Sequence, residues 1–347
     1  AAGAEWRRLT IGNLAALPKI RQLAIPVGLV LPAGRFTLDV GAHWAVTSVQ
    51  RRGEPTQSVE GWTDTQVRGS YVLGRDAVVA SVMVNLPTGR EQLSARDQLI
   101  LSTVSSSVFA FPVNSYGNGG SLTAGLAGAI PLGSWNLGLA GSVRVNRRFT
   151  AIEDTVSGDL TFRSGVEGRF RAGIDRLIGQ SRVAAGFTYS TFGDDEFTRG
   201  PRSLVYRPGK RYIAEVSVTA TVGGSLLNAY AWNFYRACGE TIDRTDADST
   251  SVGNNENLAS VGAWMSVPLG RSVTWEPGVE ARASNPDAGD AWLAGGGMAL
   301  RIRVGRRFSV VPSARFEAGV LEAVSQRGTT RHALRLWSGS VYIRKSF

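Results

Sequence analysis

Between Phe36 and Val46 every second residue is apolar: Phe36, Leu38, Val40, Ala42, Trp44 and Val46, with Thr37, Asp39, Gly41 and His43 in the gaps. Alternation with period two places the first set on one face of an extended strand and the second set on the other. The pattern recurs in Val78, Ala80, Val82, Val84 and Leu86, and again in Leu137, Leu139, Gly141, Val143 and Val145. Further runs cover 162–174, 212–222 and 298–304, and in each the charged residues keep to one face. These runs extend over roughly 10 to 16 residues, whereas a sandwich strand has about 5 or 6 and a tilted strand crossing hydrocarbon needs about 9 to 11. Strands of that length, apolar on one side and polar on the other, predict an all-β transmembrane antiparallel up-and-down barrel.

Connections support the same architecture. Short turns rich in glycine or proline, such as LPAGRF, IPLGSW, IGQSR, VGGSL and VPLGRS, alternate with longer polar segments such as QRRGEPTQSVEG, FTAIEDTVSGD, FGDDEFTRGPRSLVYRPGK and CGETIDRTDADSTSVGNNEN. A barrel across an outer membrane has short periplasmic turns and long extracellular loops. The alternation is interrupted once, by residues 87–118, which must contribute no strand or two. Ser94 followed by Asp97 has the spacing of a capping box with aspartate in place of glutamate, and Ile100, Val104 and Val108 repeat at helical spacing. This segment is expected to be a long third loop with a short helix, its apolar side chains drawing it into the barrel or across its mouth, where Ile100, Val104, Val108, Phe109 and Phe111 would form a constriction. The count then comes to about sixteen strands, the first at 5–13 and the last at 331–347, with others at 62–73 and 161–177. If 1–20 is instead an internal plug, about fourteen strands is the alternative. The whole chain, 1–347, is expected to be a single barrel domain.

Composition adds limits. With 347 residues, 43% of them hydrophobic, and 42 glycines, the chain is neither disordered nor fibrous. It offers no run of the roughly 18 apolar residues that a spanning helix needs. The opening AAGAEW lacks the basic and apolar regions of a signal peptide, which suits a mature form. One cysteine, Cys238, excludes an internal disulfide and most simply is a free thiol near the rim. The closing SGSVYIRKSF, an alternating strand with terminal Phe347, resembles the C-terminal signal of Gram-negative outer-membrane proteins, although Lys345 and Arg335 depart from its pattern. In size, strand number and long third loop the chain is similar to general porins. Its NLPTG strand end also looks like passages in outer-membrane hydrocarbon and fatty-acid transporters. The resemblance implies a bacterial outer-membrane location, surrounding lipid and lipopolysaccharide, passive or facilitated passage of small solutes, and a homo-oligomer, a trimer on the porin pattern.

Candidate chemistry lies on the polar face. Alternation points Asp39, His43, Arg68, Arg144, Arg148, Arg163, Glu167, Arg169, Arg171, Asp175, Glu215, Glu280, Arg282, Arg301, Arg303, Arg315 and Glu317 toward a lumen. Arginine exceeds acid, and the formal net charge is +10. This excess would give a mild anion preference if the side chains line water, while a dense Arg–carboxylate network supporting the wall is the competing reading. The calculated pI of about 10.3 comes from basic residues spread over many strands with no reader motif, so no nucleic-acid partner is expected. His43 beside Asp39 could be an acid–base pair. With His332 the only other histidine and no G-x-S-x-G elbow or zinc spacing, neither enzyme activity nor a cofactor or metal is expected. Carboxylates in GDDEF and DRTDADST could hold calcium or simply be solvated. The aromatics Tyr230, Trp232 and Phe234, together with Trp62, Trp135, Trp275 and Trp292, suit girdles at the membrane interfaces. Three functions follow: a channel for small hydrophilic solutes, a facilitator for hydrophobic molecules lined by Phe109 and Phe111, and a structural barrel packed in an array.

Overall fold

A computed structural model describes the chain except for residues 13–18, 52, 75–76, 153–157, 245–249, 286–289, 306, 326–327 and 346–347. The expected terminal aromatic, Phe347, therefore lies outside the described residues, as does most of DRTDADST.

The strands follow the alternating runs closely. From the N-terminus they are β1 (Ala2–Ile11), β2 (Lys19–Ala33), β3 (Phe36–Gln50), β4 (Gln57–Trp62), β5 (Thr65–Leu73), β6 (Val78–Leu86), β7 (Ser121–Leu132) and β8 (Trp135–Asn146). Two short strands, β9 (Phe149–Ile152) and β10 (Leu160–Arg163), precede β11 (Glu167–Ile178) and β12 (Ser181–Phe192). Two more, β13 (Asp195–Arg199) and β14 (Arg202–Arg207), precede β15 (Arg211–Val222) and β16 (Ser225–Arg236). After β17 (Glu240–Asp243) and β18 (Thr250–Val252) the chain completes β19 (Glu256–Pro268), β20 (Val273–Ser284), β21 (Ala291–Val304), β22 (Phe308–Ser325) and β23 (Gly328–Lys345).

Every long strand pairs antiparallel with its neighbours, and β1 pairs with both β2 and β23, so the sheet closes into a barrel of sixteen staves. Residues 2–11 are thus a wall strand; the plug alternative and its fourteen strands do not apply. β4 and β5 together make one stave against β3, interrupted at Thr63 and Asp64. At one end the connections are as short as two residues, as in Ala33↔Phe36 and Leu132↔Trp135, and Gly34 turns its corner at φ 62°.

The stretch read as one strand at 161–177 is two. Its first part, β10, belongs to a second antiparallel sheet in the order β18-β17-β14-β13-β10-β9, assembled from three of the long loops. Phe162 joins this rim sheet through rings 5.7 Å from Phe149 and 4.7 Å from Phe197. These loops carry their own alternation, and pairing satisfies backbone groups that would otherwise face water singly.

The stretch between β6 and β7 holds α1 (Ala95–Val104) and a short 3₁₀ turn at Ser107–Phe109. Ser94 caps α1: its hydroxyl accepts from the Asp97 amide while the Asp97 carboxylate accepts from the Ser94 amide. The apolar side of this segment is buried together with Leu9, Ile20, Ala24, Val49, Leu258, Leu293, Leu334 and Leu336 of the strands. A single-layered wall can bury such residues only if the loop lies against one of its faces, which identifies that face as the interior. Ser94→Ala removes the cap at a cost of about 1 kcal/mol. Limited proteolysis should then cut within 89–117 several-fold faster, while the heat-induced gel-mobility shift of the folded barrel stays where it is in the parent protein.

Candidate functional site

Leu9 and Gln22 touch the loop, so their parity marks the interior, and the ladder carries it from strand to strand. Gln22 stands opposite Arg7 and Thr47, Asp39 opposite Arg68, Arg144 opposite Glu167, Glu215 opposite Trp232, and Arg282 opposite Leu293. Asp39, His43, Arg68, Arg144, Glu167, Arg169, Arg171, Asp175, Glu215, Glu280, Arg282, Arg301, Arg303, Arg315 and Glu317 all share this inner face. Arg148 and Arg163 do not belong to the barrel wall: Arg163 lies in β10, opposite Glu196 of the rim sheet, and Arg148 bonds the same Glu196 at 2.7 Å. Their alternation continued past the point where β8 ends and before β11 begins, and the rim sheet took it up.

The outer face carries Val27, Leu29, Val82, Leu126, Leu139, Val216, Val279 and Ile343, all large apolar side chains exposed on the isolated chain. So broad an apolar belt is stable only against hydrocarbon. Toward the short turns it is bordered by Phe36, Tyr71, Trp135, Trp275 and Phe308. Toward the long loops it is bordered by Trp6, Trp44, Trp62, Trp292, a Tyr189–Tyr212–Tyr235 ladder with ring separations of 5.5 and 6.2 Å, and a Phe316–Trp337 pair at 4.4 Å. Two aromatic girdles about an apolar band are what a barrel in a membrane requires. Tyr230, Trp232 and Phe234 are not part of them. Their strand is aromatic on both faces, and these three have the inner parity, with Trp232 and Phe234 packed against the loop core.

Charges on the inner wall are mostly paired. Arg68 binds Asp39 at 2.7 Å, Arg169 binds Glu167 at 2.7 Å, Arg301 binds Glu276 at 2.8 Å and Arg236 binds Glu256 at 2.9 Å. Arg171 binds Glu215, and Arg182 binds Asp175 at 3.2 Å. The most buried group is a four-residue network in which Arg282 meets Glu317 at 2.6 Å and Arg315 meets Glu280 at 2.6 Å, with cross-contacts of 3.7 Å between Arg282 and Glu280 and 3.6 Å between Arg315 and Glu317. Asp39 is held by Arg68 rather than by His43, so the suspected acid–base pair is not assembled. Arg144, Arg303 and Arg344 have no carboxylate within salt-bridge distance among the described residues; Arg144 instead donates to the Ser121 hydroxyl at 3.2 Å.

The constriction candidates Ile100, Val104, Val108, Phe109 and Phe111 are all buried against the wall. Polar bonds fix the loop in place. The Gln22 amide donates to the Val113 carbonyl at 2.6 Å and accepts from the Val113 amide at 2.9 Å. The Tyr116 hydroxyl donates to the Val59 carbonyl at 3.1 Å, and Arg7 donates to the Phe109 carbonyl at 3.3 Å. Beneath the loop is an inner cavity of about 470 Å³ whose lining includes Glu5, Arg7, Tyr230, Trp264, Glu280 and Arg315.

Asp64 was not singled out in the sequence, yet it holds both roots of the loop. Its carboxylate accepts from the Asn85 amide at 2.8 Å, the Gly89 N–H at 3.1 Å and the Asn118 N–H at 2.9 Å. The signal was an acid interrupting the alternation in GWTDTQV, at the break between β4 and β5. On the rim sheet, Asp195 accepts from the Gly165 N–H at 2.7 Å and the Ser164 hydroxyl at 3.0 Å, and burial pushes its carboxyl pKa up against these two bonds. No grouping of metal-binding side chains occurs among the described residues.

No family model and no curated protein matches the chain. Solved barrels are similar at low identity. OmpT, an outer membrane protein of Vibrio cholerae, is 8% identical with a TM-score of 0.40, covering 99% of this chain and 96% of its own. A porin is 10% identical with a TM-score of 0.36, covering 99% and 100%. A deltaS2 mutant of the TodX monoaromatic hydrocarbon channel is 10% identical with a TM-score of 0.46, covering 100% and 89%. Likeness at this level says nothing of what a pore carries.

Breaking the buried network from one side should be worse than removing it. Glu317→Leu leaves the buried Arg282 guanidinium without its closest carboxylate and should lower stability by about 3 to 5 kcal/mol, read as a fall in the thermal unfolding midpoint in detergent. The double variant Glu317→Leu, Arg282→Met should recover most of that loss.

Proposed function

We propose that the protein is an outer-membrane channel for small hydrophilic solutes with a mild preference for anions, narrowed by the loop between β6 and β7. The observation that carries this reading is the inner wall, where charged residues on strand after strand share the inner face of a closed barrel. Paired charges largely neutralise one another, so the field that selects ions comes from arginines without a carboxylate partner, among them Arg144, Arg303 and Arg344, rather than from the whole arginine count. Steric selection follows from the loop, which fills the upper part of one side of the barrel against strands that include β1, β2, β3, β16, β19, β21 and β23, and leaves the charged strands from β5 to β15 bordering the path. A route for hydrophobic molecules lined by Phe109 and Phe111 has less support, because both rings are packed against the wall.

Reconstitution in a planar bilayer under a potassium chloride gradient tests the proposal. Stable conductance with a reversal potential displaced toward chloride is expected, and Arg144→Gln with Arg303→Gln should bring that displacement closer to zero. Silence from protein shown to be folded and inserted would overturn the open-pore reading. Asp64→Ala, which removes three hydrogen bonds to a charged acceptor, should free the loop roots and raise both mean conductance and current noise. An unchanged trace would show that the loop does not set the bore.

A further inference from the structure

Three outward-facing arginines lie next to one another on the strands that close the barrel. Arg8 of β1 stands directly opposite Arg21 of β2 on one side and Trp337 of β23 on the other, and Arg335 of β23 stands opposite Thr10. All have the parity of Trp6 and Trp337, so they share the lipid face, and they begin where the loop-side aromatic girdle ends. Lys19, at the start of β2, has the same parity. Like charges directly opposite on a ladder repel and weaken the pairing. Here none of the four cations has a carboxylate within salt-bridge distance among the described residues, and the Arg8 Nε is buried without a hydrogen-bond partner. Nearby acid offers no relief: Glu322 is engaged by Arg331 at 2.6 Å, and Glu60 stands opposite Val46, two strands from β2.

We propose that Arg8, Arg21 and Arg335, with Lys19 above them, bind the phosphate groups of a phosphorylated glycolipid in the outer leaflet. The proposal rests on the outer-membrane reading and not on conduction. The chemistry is complementary: guanidinium forks match phosphate oxygens in paired, charge-assisted bonds, and a dianionic group between Arg8 and Arg21 converts their repulsion into a shared attraction. Its position is complementary too. Acyl chains would lie along the apolar belt below Trp6 and Trp337 while the headgroup meets the cations at the interface.

The test uses the folded full-length chain in detergent, with bisphosphorylated lipid A and its phosphate-free counterpart as probes and native mass spectrometry to count retained lipid. The parent protein should retain the bisphosphorylated form, and Arg8→Gln, Arg21→Gln, Arg335→Gln should retain about tenfold less. The corresponding triple lysine variant should retain an intermediate amount. Arg176→Gln, a change on the lipid face near the short turns, should leave retention intact. Heat-dependent gel mobility establishes that each variant is folded. Equal retention by the glutamine variant and the parent, equal retention of the phosphate-free lipid, or displacement by inorganic phosphate alone would overturn the proposal. Conductance in bilayers without glycolipid separates the two ideas: silence from parent and variant alike counts against the channel, whereas equal glycolipid retention counts against this site.

Discussion

Backbone hydrogen bonding in a medium without water is the constraint from which the rest of this molecule follows. Each amide and carbonyl at membrane depth must find a partner in the chain, and among extended structures only a closed sheet supplies one for every strand. Closure depends on β1 meeting β23, a pairing that runs from Ala2↔Ile343 to Ile11↔Leu334. With closure fixed, a side chain has only two environments, and the period-two pattern decides which it enters. The polar interior, apolar belt and aromatic borders are then consequences of one ladder. Above the membrane the same demand is met differently, by three loops that pair into the rim sheet.

The loop between β6 and β7 adds a third environment. Where it covers the inner wall the usual alternation inverts: Leu9, Ile20, Leu334 and Leu336 point inward to the loop, while the residues between them on the outer face include Arg8, Lys19, Arg21 and Arg335. This accounts for one of the last strand's two departures from the outer-membrane pattern, the one at Arg335. Arg335 has the outward parity, but at its height the lipid side has already become headgroup, while the inward Leu334 and Leu336 meet the loop.

The barrel, its number of strands and the inward parity of the charged residues were legible because alternation is a direct record of two-sided burial. The errors came where a second layer intervened. Tyr230, Trp232 and Phe234 read as a girdle since aromatics at period two suit either face, and only the register against Glu215 and Ser260 shows that Trp232 points inward. Arg148 and Arg163 continued an alternation that the rim sheet, not the barrel, uses. Asp64 was invisible as an anchor because its three donors, Asn85, Gly89 and Asn118, are 21, 25 and 54 residues away along the chain. Charge pairing could not be read either, since alternation gives a side chain's face but not its neighbour across the ladder.

The loop is also tied to both ends of the chain. It bonds Gln22 near the start, Ser107 donates to Glu256 at 3.2 Å, and its apolar side packs on Leu334 and Leu336 near the finish. Contacts so distant in sequence form late, after the chain entropy of bringing the two ends together has been spent. During assembly, therefore, the inner leucines remain uncovered until the seam has formed, and a nascent sheet that exposes them in addition to its apolar belt would adhere to its neighbours. Seating of the loop is the step that ends that exposure, so this segment completes the folding of the barrel as well as narrowing its bore.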